Sequence, residues 1–298
     1  MRLVFLGTSG AQPTPARGLP CTCVERDGQV FMFDAGEAAQ VAYMRAGLGW
    51  NRPMRIFITH MHGDHCTGLL GLLQTMSMRG RTEPLEVFGP APLARFVSAN
   101  SEILGFRVPF PLSITAASEG EVWRGRGARV LARRASHRVP AFSYLLVEDD
   151  RPGRFDEEGA ARLGVPRGPL WGRLQAGEAV EVGGRRILPG QVLGPPRPGR
   201  RVGISGDTAP TKSLEGFFAG CDVLVFDATF LESERENALE SFHSTAGQAA
   251  ALAAAAGARR LVLTHFSSRY RDEEAHLAEA GAVHPDVVAA RDQMEIEV

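Results

Sequence analysis

His60-Met61-His62-Gly63-Asp64-His65 places three imidazoles and one carboxylate within six residues. The stretch directly follows Arg55-Ile56-Phe57-Ile58-Thr59, whose apolar and β-branched character reads as a strand. A turn leaving a strand end splays successive side chains around a point. His60 and His62 can therefore bind one ion while Asp64 and His65 face a second close by. Histidines that merely satisfy a core do not gather at this density.

Two ions need more ligands, and three isolated candidates each lie directly beyond a β-like run. His137 follows Arg129 to Arg134, Asp207 follows Arg201 to Ser205 within Ser205-Gly206-Asp207-Thr208, and His265 follows Leu261 to Thr264. A shared position at strand ends converges them on one sheet edge. Asp207 is the natural bridge, because its two oxygens can contact both ions at once. Further strand-like runs, Leu3 to Gly7, Val30 to Phe33, Leu85 to Phe88, Ser143 to Val147 and Val223 to Phe226, alternate with helical patterns. That alternation predicts an α/β chain with layered sheets. Ser244 to Ala256 reads as an alanine-rich helix that Ser244 or Thr245 caps and Gly257 stops.

The bulk properties bound the function. With 298 residues, 44% hydrophobic and 22% charged, the chain can bury a sizeable core. It is read as a single domain over 1–298. The first residues lack the pattern of a secretory signal, no apolar run approaches the ~18 residues of a membrane span, and Cys21, Cys23, Cys66 and Cys221 are too scattered for a disulfide framework. A cytoplasmic protein with no membrane partner is expected. A net charge of -1 argues against a uniformly basic nucleic-acid binder, so any RNA contact must come from local clustering. Residues 151–201 hold ten arginines against five acids, and Lys212 is the only lysine of the chain. Asp149 to Gly199 is also rich in proline and glycine, which punctuate turns. It reads as an inserted, mobile arm protruding from the core. Arg167 and Arg173 on it are candidate RNA contacts, and Trp171 can stack on a base or pack within the arm.

Several segments together resemble the short form of the tRNase Z (ribonuclease Z) family within the metallo-β-lactamase superfamily. They are Phe5-Leu6-Gly7-Thr8, the histidine cluster, Gly71-Leu72-Leu73-Gln74-Thr75-Met76, His137-Arg138-Val139-Pro140, Ser205-Gly206-Asp207-Thr208, His243-Ser244-Thr245 and Thr264-His265-Phe266-Ser267-Ser268-Arg269-Tyr270. The resemblance implies an αββα sandwich, usually homodimeric, with the Asp149 to Gly199 insertion as the part that grips tRNA. It also implies two zinc ions per subunit. His60, His62 and His137 would hold one, Asp64, His65 and His265 the other, and Asp207 both. Histidine and carboxylate ligands suit manganese or iron as well.

The activity this implies is removal of the 3′ trailer from precursor tRNA. Asp64 would orient the attacking water and take its proton. His243 would protonate the leaving oxygen, with Asp227 holding its imidazole in the donor tautomer. The sequence departs from the family pattern in two places. Pro13-Thr14-Pro15-Ala16-Arg17-Gly18 lacks the family's lysine and asparagine, leaving Arg17 as the expected RNA contact near the cut. Phe226-Asp227-Ala228-Thr229 carries an aspartate where the family has glutamate, so a carboxylate one methylene shorter must reach the same acid. The competing reading is a small-molecule phosphodiesterase or esterase-like hydrolase of the same superfamily.

Overall fold

In a computed structural model, which describes residues 1–298, the strands assemble into two seven-stranded sheets. The first runs Glu295–Glu297, Arg2–Gly7, Cys21–Arg26, Gln29–Phe33, Met54–Phe57, Leu85–Gly89 and Leu112–Ala116 in spatial order. The second runs Val287–Ala289, Arg260–Thr264, Val223–Asp227, Arg201–Ile204, Phe142–Glu148, Ala128–Arg134 and Gly120–Gly125. Every strand-like run read from the sequence is a strand within a residue or two. Strands that carry less apolar pattern, such as Leu112–Ala116 and Gly120–Gly125, were not legible.

Period-two alternation explains why the central strands read as continuous apolar runs: both faces are covered. In Gln29–Phe33, Phe31 and Phe33 enter one core while Val30 and Met32 enter another. The core between the sheets joins Leu3, Phe5, Phe57 and Phe88 of the first to Tyr144, Val202, Val225 and Val262 of the second. Phe57 sits at its centre, with ring centroids 5.3 Å from Phe33, 5.1 Å from Phe88 and 5.4 Å from Tyr144. Each such buried ring contributes about 1.5–3 kcal/mol.

Helices cover the outer faces. Leu69, Leu72, Leu73 and Met76 recur at helical spacing in Gly68–Met78 and bury against Val30, Met32, Met54 and Ile56. Helices Ala39–Arg45 and Leu93–Ile103 complete that layer. On the second sheet, the small residues of Ala246–Ala255 pack on strands Val223–Asp227 and Arg260–Thr264. Thr245 caps this helix, accepting from the Gln248 N–H, and Gly257 ends it at φ 64°. The result is a helix–sheet–sheet–helix layering. No helix is long and apolar enough to cross a membrane.

Residues Val147–Arg200 form a separate compact unit, the other being Met1–Leu146 with Arg201–Val298. Despite its turn-forming composition, the smaller unit has regular structure and its own core. Helices Glu157–Arg162 and Pro169–Gln175 and the hairpin Val180–Val182/Arg185–Ile187 enclose Ala160, Val165, Leu174, Val180, Ile187 and Val192. Gly183 and Gly184, at φ 57° and 75°, supply the two left-handed positions that the hairpin's two-residue turn demands. Trp171 packs within this unit: its indole N–H donates to the Val165 carbonyl at 3.1 Å and its ring lies 5.1 Å from Phe155.

Candidate metal centre

Strands Gln29–Phe33, Met54–Phe57 and Leu85–Gly89 are mutually parallel, as are Arg201–Ile204, Val223–Asp227 and Arg260–Thr264. Their carboxyl ends deliver Asp34, His60, Asp207, Asp227 and His265 to one edge, where open parallel sheets place their ligands. Residues between strand Met54–Phe57 and His60 are pinned by both sheets. The Ile58 N–H donates to the Phe88 carbonyl at 2.7 Å, the Phe142 N–H to the Thr59 carbonyl at 2.9 Å, and the Tyr144 hydroxyl to the Ile58 carbonyl at 2.9 Å. Asp207 follows Gly206, at φ 61°, where a Cβ would lie 2.8 Å from Thr59.

All seven candidate ligands read from the sequence come together. His60, His62, His137 and Asp207 form one group and Asp64, His65, Asp207 and His265 a second, each with donor atoms within 4.8 Å of one another. In the first, His62 Nδ1 lies 3.0 Å from His60 Nε2 and 3.2 Å from His137 Nε2, while Asp207 Oδ2 is 3.6 Å from His60 Nε2. In the second, Asp207 Oδ1 lies 3.2 Å from both His65 Nε2 and His265 Nε2, and Asp64 Oδ2 lies 3.5 Å and 3.7 Å from the same atoms. A tetrahedral ion with ~2.1 Å bonds holds its ligand atoms about 3.4 Å apart. The donor set therefore fits divalent ions, with the two Asp207 oxygens facing one group each.

The far side of most imidazoles is held too, which orients the ligating nitrogen. His60 Nδ1 meets Thr59 Oγ1 at 3.0 Å, His65 Nδ1 meets Asp34 Oδ2 at 2.7 Å, His137 Nδ1 meets the Phe242 carbonyl at 3.2 Å and His265 Nδ1 meets Thr229 Oγ1 at 2.8 Å. Asp34, Thr59 and Phe242 lie outside the site residues read from the sequence, and Thr229 enters there only as the end of the loop Phe226-Asp227-Ala228-Thr229; Asp34 is legible as a carboxylate just beyond the Val30 to Phe33 run. Asp34, Phe242 and His265 all have left-handed backbones, at φ 61°, 62° and 65°, and strain of this kind clusters at functional sites.

Charges follow from this packing. Burial, and then the neighbouring His65 charge, depress the His60 imidazole to about 2, so it is neutral and free to ligate. Burial would raise the Asp64 carboxyl, but the adjacent His265 and His65 imidazoles hold it well below the usual carboxylate range. The Ala11 N–H also donates to Asp64 Oδ2 at 2.9 Å. Beside the ligands, His243 Nδ1 bonds Asp227 Oδ2 at 2.8 Å, so the shorter side chain does reach the imidazole. Burial would lower the His243 pKa, yet the Asp227 charge outweighs it and pushes it up to about 9. His243 Nε2 lies 3.9 Å from Asp207 Oδ2, and its ring stacks on that of His265 with centroids 5.2 Å apart.

The expected RNA contacts are not gathered with the ligands. Arg17 is only 7% exposed. Its guanidinium donates to Glu273 at 2.5 Å and to the Tyr270 carbonyl at 3.2 Å, over the Phe266 ring. A cation so enclosed braces the segment after His265 rather than standing free for a phosphate. Arg167 and Arg173 lie exposed on the smaller unit, near Glu157 at 3.5 Å and Glu178 at 2.9 Å. Cys66 donates to the His62 carbonyl at 3.3 Å, outside both ligand groups.

Residues 16–174 match the metallo-β-lactamase superfamily and residues 184–266 a beta-lactamase superfamily domain. Fold and ligand edge thus define a metal-dependent hydrolase of that class. The chain is 55% identical to a ribonuclease Z of Nitrosopumilus maritimus over the full length of both, and 42% identical to one of Methanosarcina acetivorans, covering all of this chain and 98% of that one. Among solved structures it resembles human tRNase Z, short form, with a TM-score of 0.74 and 27% identity over 100% of this chain and 99% of the other. The chain belongs to the ribonuclease Z family of the metallo-β-lactamase superfamily.

Proposed function

We propose that this chain is an endoribonuclease that removes the 3′ trailer of precursor tRNA by hydrolysing one phosphodiester. The observation that carries the reading is the junction of two ligand groups through Asp207, with the His243–Asp227 pair alongside. His60, His62, His137 and Asp207 would hold one zinc ion and Asp64, His65, His265 and Asp207 a second. Bound there, two ions activate water at neutral pH and neutralise charge growing on the phosphoryl oxygens. Asp64, ionised and oriented by the Ala11 N–H, accepts the proton of the attacking water. His243 donates from Nε2 to the leaving 3′-oxygen, while Asp227 holds its Nδ1–H. The smaller unit, with Arg167 and Arg173 exposed, is the proposed grip on the tRNA backbone.

Four free, buried cysteines support a reducing compartment, and we place the enzyme in the cytoplasm. A homodimer is the proposed assembly. The exposed Met78, Ile103 and Leu104 offer apolar surface of the kind a second copy covers, and sedimentation at micromolar protein tests it.

The deciding experiment incubates metal-loaded protein with a 3′-extended precursor tRNA and maps the cut. A single cut that releases the 3′ trailer is expected. Steady hydrolysis of bis(p-nitrophenyl) phosphate with no preference for tRNA would move the assignment to a small-molecule phosphodiesterase.

A further inference from the structure

We infer that Thr229 is a positioning residue that ties the second ion position to the acid: its hydroxyl fixes which nitrogen of His265 faces the ion and helps hold the carboxylate that presents His243. The inference rests on the metal-dependent reading above.

Thr229 is buried, and its Oγ1 lies 2.7 Å from Asp227 Oδ1, 2.8 Å from His265 Nδ1 and 3.2 Å from His243 Nδ1. A hydroxyl has one proton and two lone pairs. The Asp227 oxygens accept from the Thr229 and Thr208 N–H groups, and the single hydroxyl proton of Thr229 likewise goes to Oδ1 at 2.7 Å. Oγ1 must then accept from His265 Nδ1–H. That fixes the His265 tautomer with Nε2 unprotonated, the only form that can ligate through the atom facing Asp64, His65 and Asp207. With the opposite polarity, Thr229 donating to His265, the imidazole proton would sit on Nε2 and block ligation.

The same accounting closes at Asp227. A carboxylate has about four lone-pair sites. Oδ1 accepts from the Thr229 N–H at 2.9 Å and the Thr229 hydroxyl; Oδ2 accepts from the Thr208 N–H at 3.1 Å and from His243 Nδ1 at 2.8 Å. Four donors fill four sites, and all the protons of the chain His265, Thr229, Asp227, His243 point toward the carboxylate. Removing the Thr229 hydroxyl opens this chain at both of its uses. His265 loses the acceptor that selects its tautomer, and Asp227 gains an empty lone pair beside the acid. Serine keeps the oxygen; valine keeps the shape without it.

The test reads metal binding rather than turnover. Zinc affinities of wild type, Thr229→Val and Thr229→Ser are measured by competition with a chromophoric chelator. Thr229→Val should weaken one of two sites about 10–100-fold and leave the other unchanged. Thr229→Ser should bind as the wild type does. A merely structural threonine would lower thermal stability without changing the ratio of the two affinities. A second readout needs no variant: nitrogen-15 spectra of histidine-labelled, zinc-loaded wild type should place the His265 proton on Nδ1. Equal affinities in Thr229→Val and wild type, or a proton on His265 Nε2, overturns the inference. Failure of the wild type to bind zinc at all overturns the metal-dependent reading instead.

Discussion

The division of labour between single residues follows from their charge states. His243 is pushed up to about 9 by Asp227 against the pull of burial, so it carries its proton at neutral pH. The acid form dominates below about 9, and turnover should fall as pH rises through that value. His243→Ala should slow precursor cleavage by about 10²–10⁴-fold and lose that alkaline limb. Hydrolysis of bis(p-nitrophenyl) phosphate should fall far less, since nitrophenolate leaves without a proton. Steady-state rates on both substrates from pH 6 to about 10 check the split, and equal losses would remove His243 from the acid role. Asp64 answers to a different measurement. Asp64→Asn keeps an oxygen to ligate but cannot take a proton, so bound metal measured by emission spectroscopy should survive better than kcat.

At the level of elements, the parts legible in sequence were those where both faces of a strand are buried. Met54–Phe57 and Val223–Asp227 show as apolar runs because layers cover both sides, and the ligands announce themselves by following such runs. Phe242 gave no such signal, and the orienting role of Thr229 does not show in its quoted loop, because an orienting contact depends on which strand ends meet in space rather than on local pattern. The helix Glu274–Gly281 was equally silent, yet it buries His276 between Phe266 and Tyr270, with ring centroids at 5.0 and 4.7 Å. Burial, and then the positive charge of Arg17, lower its pKa to about 4. An unfolded histidine takes up its proton near 6.5, well before the folded one does. The contribution to stability is therefore complete above about 6.5 and is lost as pH falls toward 4, amounting to about 3 kcal/mol. Urea unfolding at pH 7 and 4.5, with chelator present throughout, should show His276→Phe losing less stability on acidification than wild type. An identical acid loss in both would mean that His276 is not the group titrating.

For the whole molecule, composition marked residues 149–199 as unlike the rest, while the compact unit observed spans Val147–Arg200. Its helices of six and seven residues were hidden by proline and glycine density, since elements that short show little periodicity. The two ends of the unit meet. The Glu148 N–H donates to the Arg200 carbonyl at 2.9 Å, and Arg151 and Arg197 exchange backbone hydrogen bonds at 2.9 Å each. Residues 152–196 can thus be replaced by a short glycine bridge without stretching the chain at either end. All seven candidate ligands, His243 and Asp227 lie in the larger unit, so the shortened protein should still load metal and hydrolyse bis(p-nitrophenyl) phosphate at nearly the full rate. If the smaller unit grips tRNA as a second point of attachment, kcat/KM for a precursor should drop by about 10²-fold, the scale on which a linked second contact raises binding. The salt dependence of what remains should flatten as well, because phosphate contacts made by arginine release counterions and the deletion removes them. Unchanged precursor cleavage with unchanged salt dependence would show that the larger unit recognises tRNA by itself.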